Sequence, residues 1–209
     1  MIGLSVPPGT VAIPLDADES ERQTGAKALL ANLPAGHEFA GDRAAETAIA
    51  DLGGTLRDSG ITYAAVLSKP GETPEKCAML IVAYSELNRS AGSNDGRGAA
   101  VDAIRSICAV KHPQAQVDVV PLANGRAVRV LRGQKVAVPP SITSLDDTVE
   151  AESRSVQYLV PSPEASSLIT IEVTTGSVDL WPYFSEQAAQ IAGRIKFGGQ
   201  ALQPRTLNL

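Results

Sequence analysis

Hydrophobic positions follow two different periods along this chain, and together they predict an α+β fold. Apolar residues that recur at steps of three and four predict about four helices, near residues 19–33, 42–60, 100–112 and 180–195. Segments that alternate, or that are apolar throughout, predict about six or seven strands. These lie near residues 10–15, 61–67, 77–84, 117–120, 127–131, 154–161 and 168–174.

The links between the predicted strands favour antiparallel neighbours. Asn124–Gly125 separates two apolar strands and is the strongest hairpin signal in the chain. A mostly antiparallel sheet with helices packed on it, an α/β/α sandwich, is therefore the predicted architecture. The segment 77–84 is apolar at consecutive positions, which predicts a central strand buried on both faces.

The pattern predicts one α+β domain over residues 1–197, because no shift in composition divides the chain. Residues 198–209 contain two glycines and a proline with little periodicity, so we expect a flexible C-terminal tail there. Within the second predicted helix, the pair Gly53–Gly54 weakens the helix but permits close approach to the sheet.

Composition and charge exclude several classes of protein. The chain has 209 residues, is 44% hydrophobic and carries a net charge of −5, so it can bury its own core and is not a typical nucleic-acid binder. No run of apolar residues is long enough for a membrane-spanning helix. The N-terminus does not have the pattern of a signal peptide, which predicts a cytoplasmic protein or a mature domain cut from a longer precursor.

Side chains that carry most enzyme chemistry are scarce, with two histidines and two cysteines in the whole chain. Neither metal-ligand spacing, nor a nucleophile motif, nor a phosphate-binding glycine loop occurs, so we expect no catalytic residues, no cofactor and no metal. Cys77 and Cys108 lie in apolar segments, which favours two buried thiols, with a disulfide or redox pair as the alternative.

A few residues are candidates for contact with a protein partner. Trp181 and Tyr183 begin the last predicted helix, where they serve either as an exposed anchor or as part of the core. Asp146 and Asp147 belong to an acidic group, and Arg97 lies in a polar segment; a solvated surface is the alternative for the acidic group. Residues 133–152, which include that acidic group, are either an exposed loop or an extended strand edge.

A second set of candidates concerns an apolar pocket between sheet and helices. Tyr63, Met79 and Tyr158 fall in predicted strands and would line such a pocket if their side chains share a face. The register that decides this cannot be read from the sequence.

The two ends of the chain resemble the PsbP-like superfamily. Residues 168–173, the segment 180–184 and the helix that ends at 195–197 are similar to the closing strand–helix–strand pattern of that superfamily. Residues 6–11 are similar to its proline-flanked opening strand. The resemblance implies an α/β/α sandwich that serves mostly for binding or assembly, and it carries no functional residue over. The high content of Ala, Gly and Val is typical of a GC-rich bacterial source such as an actinobacterium.

Three functions therefore stay open. The leading hypothesis is a non-catalytic bacterial module that binds a protein, as an accessory subunit or chaperone of a larger complex, with self-association into a homo-oligomer as a further option. The alternative is a small-molecule or lipid carrier with an apolar pocket. The third is an enzyme that uses carboxylates or hydroxyls in a site that the spacing does not reveal.

Overall fold

The computed structural model describes residues 2–31, 41–73, 75–87, 96–138 and 149–197. Its helices are α1 (Glu19–Ala31), α2 (Arg43–Asp58), α3 (Gly96–Lys111) and α4 (Trp181–Gly193), the last preceded by a 3₁₀ turn at Val178–Leu180. Its strands are β1 (Ile2–Gly3), β2 (Val11–Ala12), β3 (Ile61–Ser68), β4 (Cys77–Glu86), β5 (Gln116–Leu122), β6 (Gly125–Val138), β7 (Val149–Pro161), β8 (Ser167–Thr175) and β9 (Lys196–Phe197).

Seven strands form one antiparallel sheet in the order β2-β3-β4-β8-β7-β6-β5. The chain enters the sheet at one edge and returns through β8 into its middle, so β4 and β8 are neighbours although they are far apart in sequence. The first and last described residues meet separately, where β1 pairs with β9.

Each face of the sheet has its own core, because side chains alternate between the faces along every strand. Helix α4 packs on one face, which we call the α4 face, and buries Phe184 and Ile191 against Leu80 and Ile171. Helix α3 packs on the opposite face, the α3 face, over β5, β6 and β7. The buried residues of the core on this face are Val101, Ile104 and Cys108 of α3 and Val128 and Val130 of β6.

Helices α1 and α2 pack against each other, and α2 also packs against β3. The approach of α2 to the preceding chain is close, since a Cβ on Gly53 would lie 1.9 Å from the carbonyl oxygen of Pro14. The glycine pair was predicted to permit close approach of this helix to the sheet. A close approach is seen at Gly53, but the neighbour is the backbone of Pro14, which follows β2 in the chain.

The α+β class, the mostly antiparallel sheet and the helices on both of its faces are confirmed. Two local predictions were wrong. Only Val11 and Ala12 of the segment 10–15 form a strand, because that edge strand pairs over two residues alone. Strand β4 is fully buried only at Ala78, Leu80 and Val82 on its α4 face, and Met79 and Ile81 on the α3 face are half-buried. The predicted tail, residues 198–209, lies outside the described residues.

Candidate functional site

Strands β6 and β7 continue beyond the rest of the sheet as a two-stranded ribbon. Strand β5 begins opposite Leu131, and β8 ends opposite Arg154, whereas the β6–β7 ladder runs on to the pair Val138 and Val149. We call residues 134–138 and 149–153 the arm. Its five residue pairs extend about 16 Å past the sheet, at about 3.3 Å for each residue of a strand.

Both outer edges of the arm lack a neighbouring strand within the part of the chain that the structure describes. Every second backbone N–H and C=O along such an edge points away from the ladder and is free to pair with another strand. Natural proteins usually keep edges short or cover them, so a protruding ribbon with two open edges is a candidate contact surface.

The root of the arm is fixed by polar contacts across three strands. The Arg132 Nη2 group of β6 donates to the Glu172 carboxylate of β8, passing over β7. Gln157 on β7 adds a bond from its Nε2 atom to Glu172 Oε2 at 3.3 Å. On the other side of the sheet, Arg129 Nη2 pairs with Asp118 Oδ2 of β5 at 2.9 Å, and this bond holds the pKa of the Asp118 carboxyl below its ordinary value.

The arm itself is charged and open to solvent. Lys135 Nζ lies 3.0 Å from Glu150 Oε2, and both side chains are about two-thirds exposed, at 67% and 69%. Such an exposed pair contributes little to stability. A shallow depression of about 280 Å³ lies at the arm root and is lined by Gly133, Gln134, Lys135, Glu152, Ser153 and Arg154. The arm therefore offers backbone edges and charges of both signs, with little apolar surface in the side chains that the structure describes.

The structure places the aromatic candidates near the arm root. The 3₁₀ turn before Trp181 packs against β7, and a Cβ on Gly176 would lie 3.9 Å from the Glu152 carbonyl oxygen. Trp181 and Tyr183 are half-buried against the α4 core, and the Tyr183 ring lies edge-on to Phe184 with centroids 5.3 Å apart. They thus have both the contacts of core residues and an exposed rim at the arm end of the molecule.

Arg97 lies at the opposite end of the sheet. Its Nη1 atom donates to the Asn124 carbonyl oxygen at 2.6 Å, in the β5–β6 turn, and burial lowers the pKa of its guanidinium. Asn124 in turn donates from Nδ2 to the carbonyl oxygens of Ala192 and Ile195, which ties this turn to the end of α4. Arg97 and the arm are not brought together, and Asp146 and Asp147 lie outside the described residues.

The three pocket candidates do not share a face. Tyr158 is 3% exposed within the α4 core, and Tyr63 packs against the same core. Burial raises the pKa of both phenols. Met79 lies in β4 between core residues Ala78 and Leu80, so its side chain points to the α3 face. These three residues therefore do not line one pocket, and they give no support to the carrier hypothesis.

The described part of the chain contains little else that could act chemically. Its two cysteines are free thiols, and burial is the main cause that raises the pKa of each. No group of three or more His, Cys, Asp or Glu side chains is placed to hold a metal ion among these residues. None of the helices described above has the length and apolar character needed to cross a bilayer.

The arm was only half predictable from the sequence. For the segment 133–152, the sequence left a loop and a strand edge as alternatives. The described residues within this segment, 133–138 and 149–152, belong to strands β6 and β7. The signal was the apolar pattern Val136, Ala137 and Val138 after Lys135. This pattern gave no information on whether further strands would pair with these residues on their outer edges.

Comparison with known proteins adds two solved structures. No family model and no curated protein matches the chain. The fold is similar to that of LpqN, involved in cell envelope biogenesis of Mycobacterium tuberculosis, with 11% identity and a TM-score of 0.45 over 93% of this chain and 82% of that chain. It is also similar to PsbP (CyanoP) from Synechocystis sp. PCC 6803, with 15% identity and a TM-score of 0.27 over 64% of this chain and 81% of that chain.

A PsbP is thus among the structures to which this chain is similar. Both likenesses concern the fold, and neither carries a statement about the function of this chain.

Proposed function

We propose that this protein is a non-catalytic accessory or assembly module that binds a protein partner through the arm. The observation that carries the proposal is the β6–β7 ribbon, which leaves the sheet with both edges unpaired over the described residues. A strand from a partner can pair with such an edge through main-chain hydrogen bonds, while side chains beside it set specificity.

Two further features support an interaction over catalysis. The contacts of Arg129 and Arg132 hold β6 on both sides just before it leaves the sheet, so the arm starts from a fixed root. A rigid element loses less conformational entropy when it binds than a loop does. Charged groups of both signs on the arm suit a polar interface, which is typical of complexes that form and dissociate.

A site-specific photo-crosslinker tests this proposal in cells of the source organism. The crosslinker replaces Glu150 on the arm or, as the matched control, the exposed Glu186 on α4. We expect one discrete protein adduct from position 150 and none of that mass from position 186. The same adduct from both positions, or no adduct from position 150, would contradict the proposal.

A competition measurement then shows whether the partner recognises the arm together with residues 139–148, which connect its two strands in the sequence. In a trimmed variant, Asn-Gly replaces residues 135–152 and joins Gln134 to Ser153, which are paired in the sheet and so suit a two-residue turn. Excess wild-type protein should suppress the adduct, and the trimmed variant should not. Equal suppression of the adduct by the wild-type protein and by the trimmed variant would show that the partner binds elsewhere on the protein.

The location of the protein is a separate matter. The cytoplasmic location expected from the sequence stays a prediction, and fractionation of the source cells followed by immunodetection tests it.

A further inference from the structure

The alternation of hydrogen bonds in the sheet decides which backbone groups of the arm face outward. A two-residue turn at 123–124 joins β5 to β6, so the flanking residues Leu122 and Gly125 form a hydrogen-bonded pair. Hydrogen-bonded pairs then occur at every second residue, and the pairing of β6 continues without a shift as far as Val138. The odd-numbered residues of β6 therefore turn their N–H and C=O groups toward the side of β5. Beyond the start of β5, the residues with this outward orientation are Gly133, Lys135 and Ala137.

Strand β7 has its own outward residues, on the opposite edge of the arm. At the far end of the β7–β8 hairpin, the Ser162 N–H donates to the Ser167 carbonyl oxygen at 2.8 Å, so the even-numbered residues of β7 face β8. Arg154 is the last of them that pairs with β8, opposite Thr175. On the arm, the residues of β7 that face outward are consequently Glu152 and Glu150.

The two edges differ in how much of them is covered. The chain that leaves β8 stays beside β7, since a Cβ on Gly176 would lie 3.9 Å from the Glu152 carbonyl oxygen and the 3₁₀ turn that follows packs against β7. This cover leaves Glu150 at the end of the β7 edge. Strand β5 begins opposite Leu131, and from there the β6 edge continues to Val138. The longer open edge is thus that of β6.

Side chains on the β6 edge leave space for a further strand. Ala127 of β6 lies in the α4 core, so Gly133, Lys135 and Ala137 present their side chains on that same face. All three residues are exposed, and a Cβ on Gly133 would meet nothing within 4 Å. The edge therefore has one charged side chain between two of the smallest residues.

Lys135 sets the charge that suits this edge, because it is the only charged residue among 133–138. On a strand added beside β6, the residue directly opposite Lys135 would lie about 5 Å from it on the same face. Glu150 and Glu152 belong to β7, about 10 Å from such a strand, where solvent and salt screen much of their repulsion. The Lys135 ammonium has three N–H donors, so it can bind a second carboxylate while it keeps Glu150.

We propose that the partner adds an extended segment to the outer edge of β6 at Gly133, Lys135 and Ala137, and that this segment carries Asp or Glu opposite Lys135. The inference rests on the proposed function and adds to it the edge that is used and the chemistry of the partner. Main-chain hydrogen bonds to the outward groups supply affinity, and the acidic residue fixes the register of the segment. The edge accommodates about five residues, at about 3.3 Å for each.

Two proline variants, used as competitors for the position-150 adduct, distinguish the two edges. Ala137 and Glu150 are directly opposite in the β6–β7 ladder, and the N–H of each points outward, so proline removes one outward donor and no bond of the ladder. Ala137→Pro should need about tenfold more protein than wild type for half suppression of the adduct. Glu150→Pro, the matched control, should suppress the adduct as wild type does. Urea denaturation checks that both variants are equally stable.

Variants of Lys135 test the acidic residue without a change of the backbone. Lys135→Glu should need about three- to tenfold more competitor than wild type, because it sets two carboxylates opposite each other. Lys135→Arg keeps the positive charge and should suppress the adduct as wild type does.

The outcomes separate this inference from the proposed function. Wild-type behaviour of Ala137→Pro, or equal weakening by Ala137→Pro and Glu150→Pro, would overturn the choice of β6. Wild-type behaviour of Lys135→Glu would overturn the acidic residue. In each of these cases the adduct itself still supports the proposed function, whereas both fail if no adduct forms from position 150.

Discussion

Gly53 shows how one missing side chain positions a pair of helices. At this residue α2 lies against the backbone of Pro14, and a Cβ would come within 1.9 Å of that carbonyl oxygen. The next residue differs, since a Cβ on Gly54 would meet only the guanidinium of Arg22, at 3.3 Å or more. The guanidinium is held by hydrogen bonds to the carbonyl oxygens of Ala50, Asp16 and Ala17, but it would have to shift by only a few tenths of an ångström, far less than the backbone at Pro14.

Gly53→Ala should therefore destabilise the protein although alanine favours a helix. The gain in helix propensity is about 1 kcal/mol. The forced shift of packed backbone costs about 1–3 kcal/mol, so we expect a net loss on the order of 1 kcal/mol in the free energy of unfolding. Gly54→Ala is the control and should be clearly more stable than Gly53→Ala, because its Cβ would meet no atom closer than 3.3 Å. Urea denaturation measures both, and a stabilised Gly53→Ala variant would refute the close contact.

At the scale of the element, strand β6 lies in two different environments, because its first half belongs to the sheet and its second half to the arm. Arg132 lies at the transition, opposite Ser155 of β7, and reaches Glu172 of β8. Both side chains are largely buried, at 28% and 25% exposed, and the Nε atom of Arg132 is buried without a partner among the described residues. The pair thus couples three strands at the arm root.

Removing one partner should cost more than half of what removing both costs. Arg132→Met leaves the Glu172 carboxylate without its cation, and Glu172→Met leaves the guanidinium without its anion. Each single change should lower the free energy of unfolding by about 1–3 kcal/mol. The double variant should lose less than the sum, with a coupling energy of about 1 kcal/mol or more. A double-mutant cycle by urea denaturation measures this, and strictly additive losses would show that the pair contributes nothing.

At the scale of the whole molecule, the two ends of the described chain close on each other. Ile2 and Gly3 pair with Phe197 and Lys196, and the nearby Leu4, Val6 and Phe197 pack against the α4 core. The last strand follows α4 directly, so this closure joins the first residues to the helix that covers the main core.

A variant that begins at Pro7 should lose part of this closure without unfolding. Leu4 and Val6 are only half-buried, so their removal should cost roughly 1–3 kcal/mol. Amide hydrogen exchange at Lys196 and Phe197 should become faster, whereas exchange in the middle of β8 should change only by the global loss of stability. Ser5→Ala, at an exposed position between the two apolar residues, is the control. Unchanged exchange at Phe197 would rule out pairing of the two ends.

Most of the elements could be predicted from the sequence, and the arm shows where such prediction stops. Helices α2 and α4 and strands β3 to β8 fall where the periodicity placed them, because the period of apolar residues reflects local backbone geometry. The sequence did not decide between a loop and a strand for the arm. Its short apolar pattern also does not depend on whether further strands pair beside it, so the open edges could not be predicted. Strand β4 was predicted to be covered on both faces because its residues are apolar at consecutive positions, although its burial alternates.

The sequence by itself determined the class of the fold, the hairpin at Asn124–Gly125 and the scarcity of catalytic side chains. These follow from local periodicity, turn chemistry and composition. Only the tertiary structure decided which side chains meet. A strand changes face at every residue, so Met79 points away from Tyr63 and Tyr158 once the register is set. Helix α3 buries one side and leaves Val110 in water, a choice that depends on the sheet beneath it.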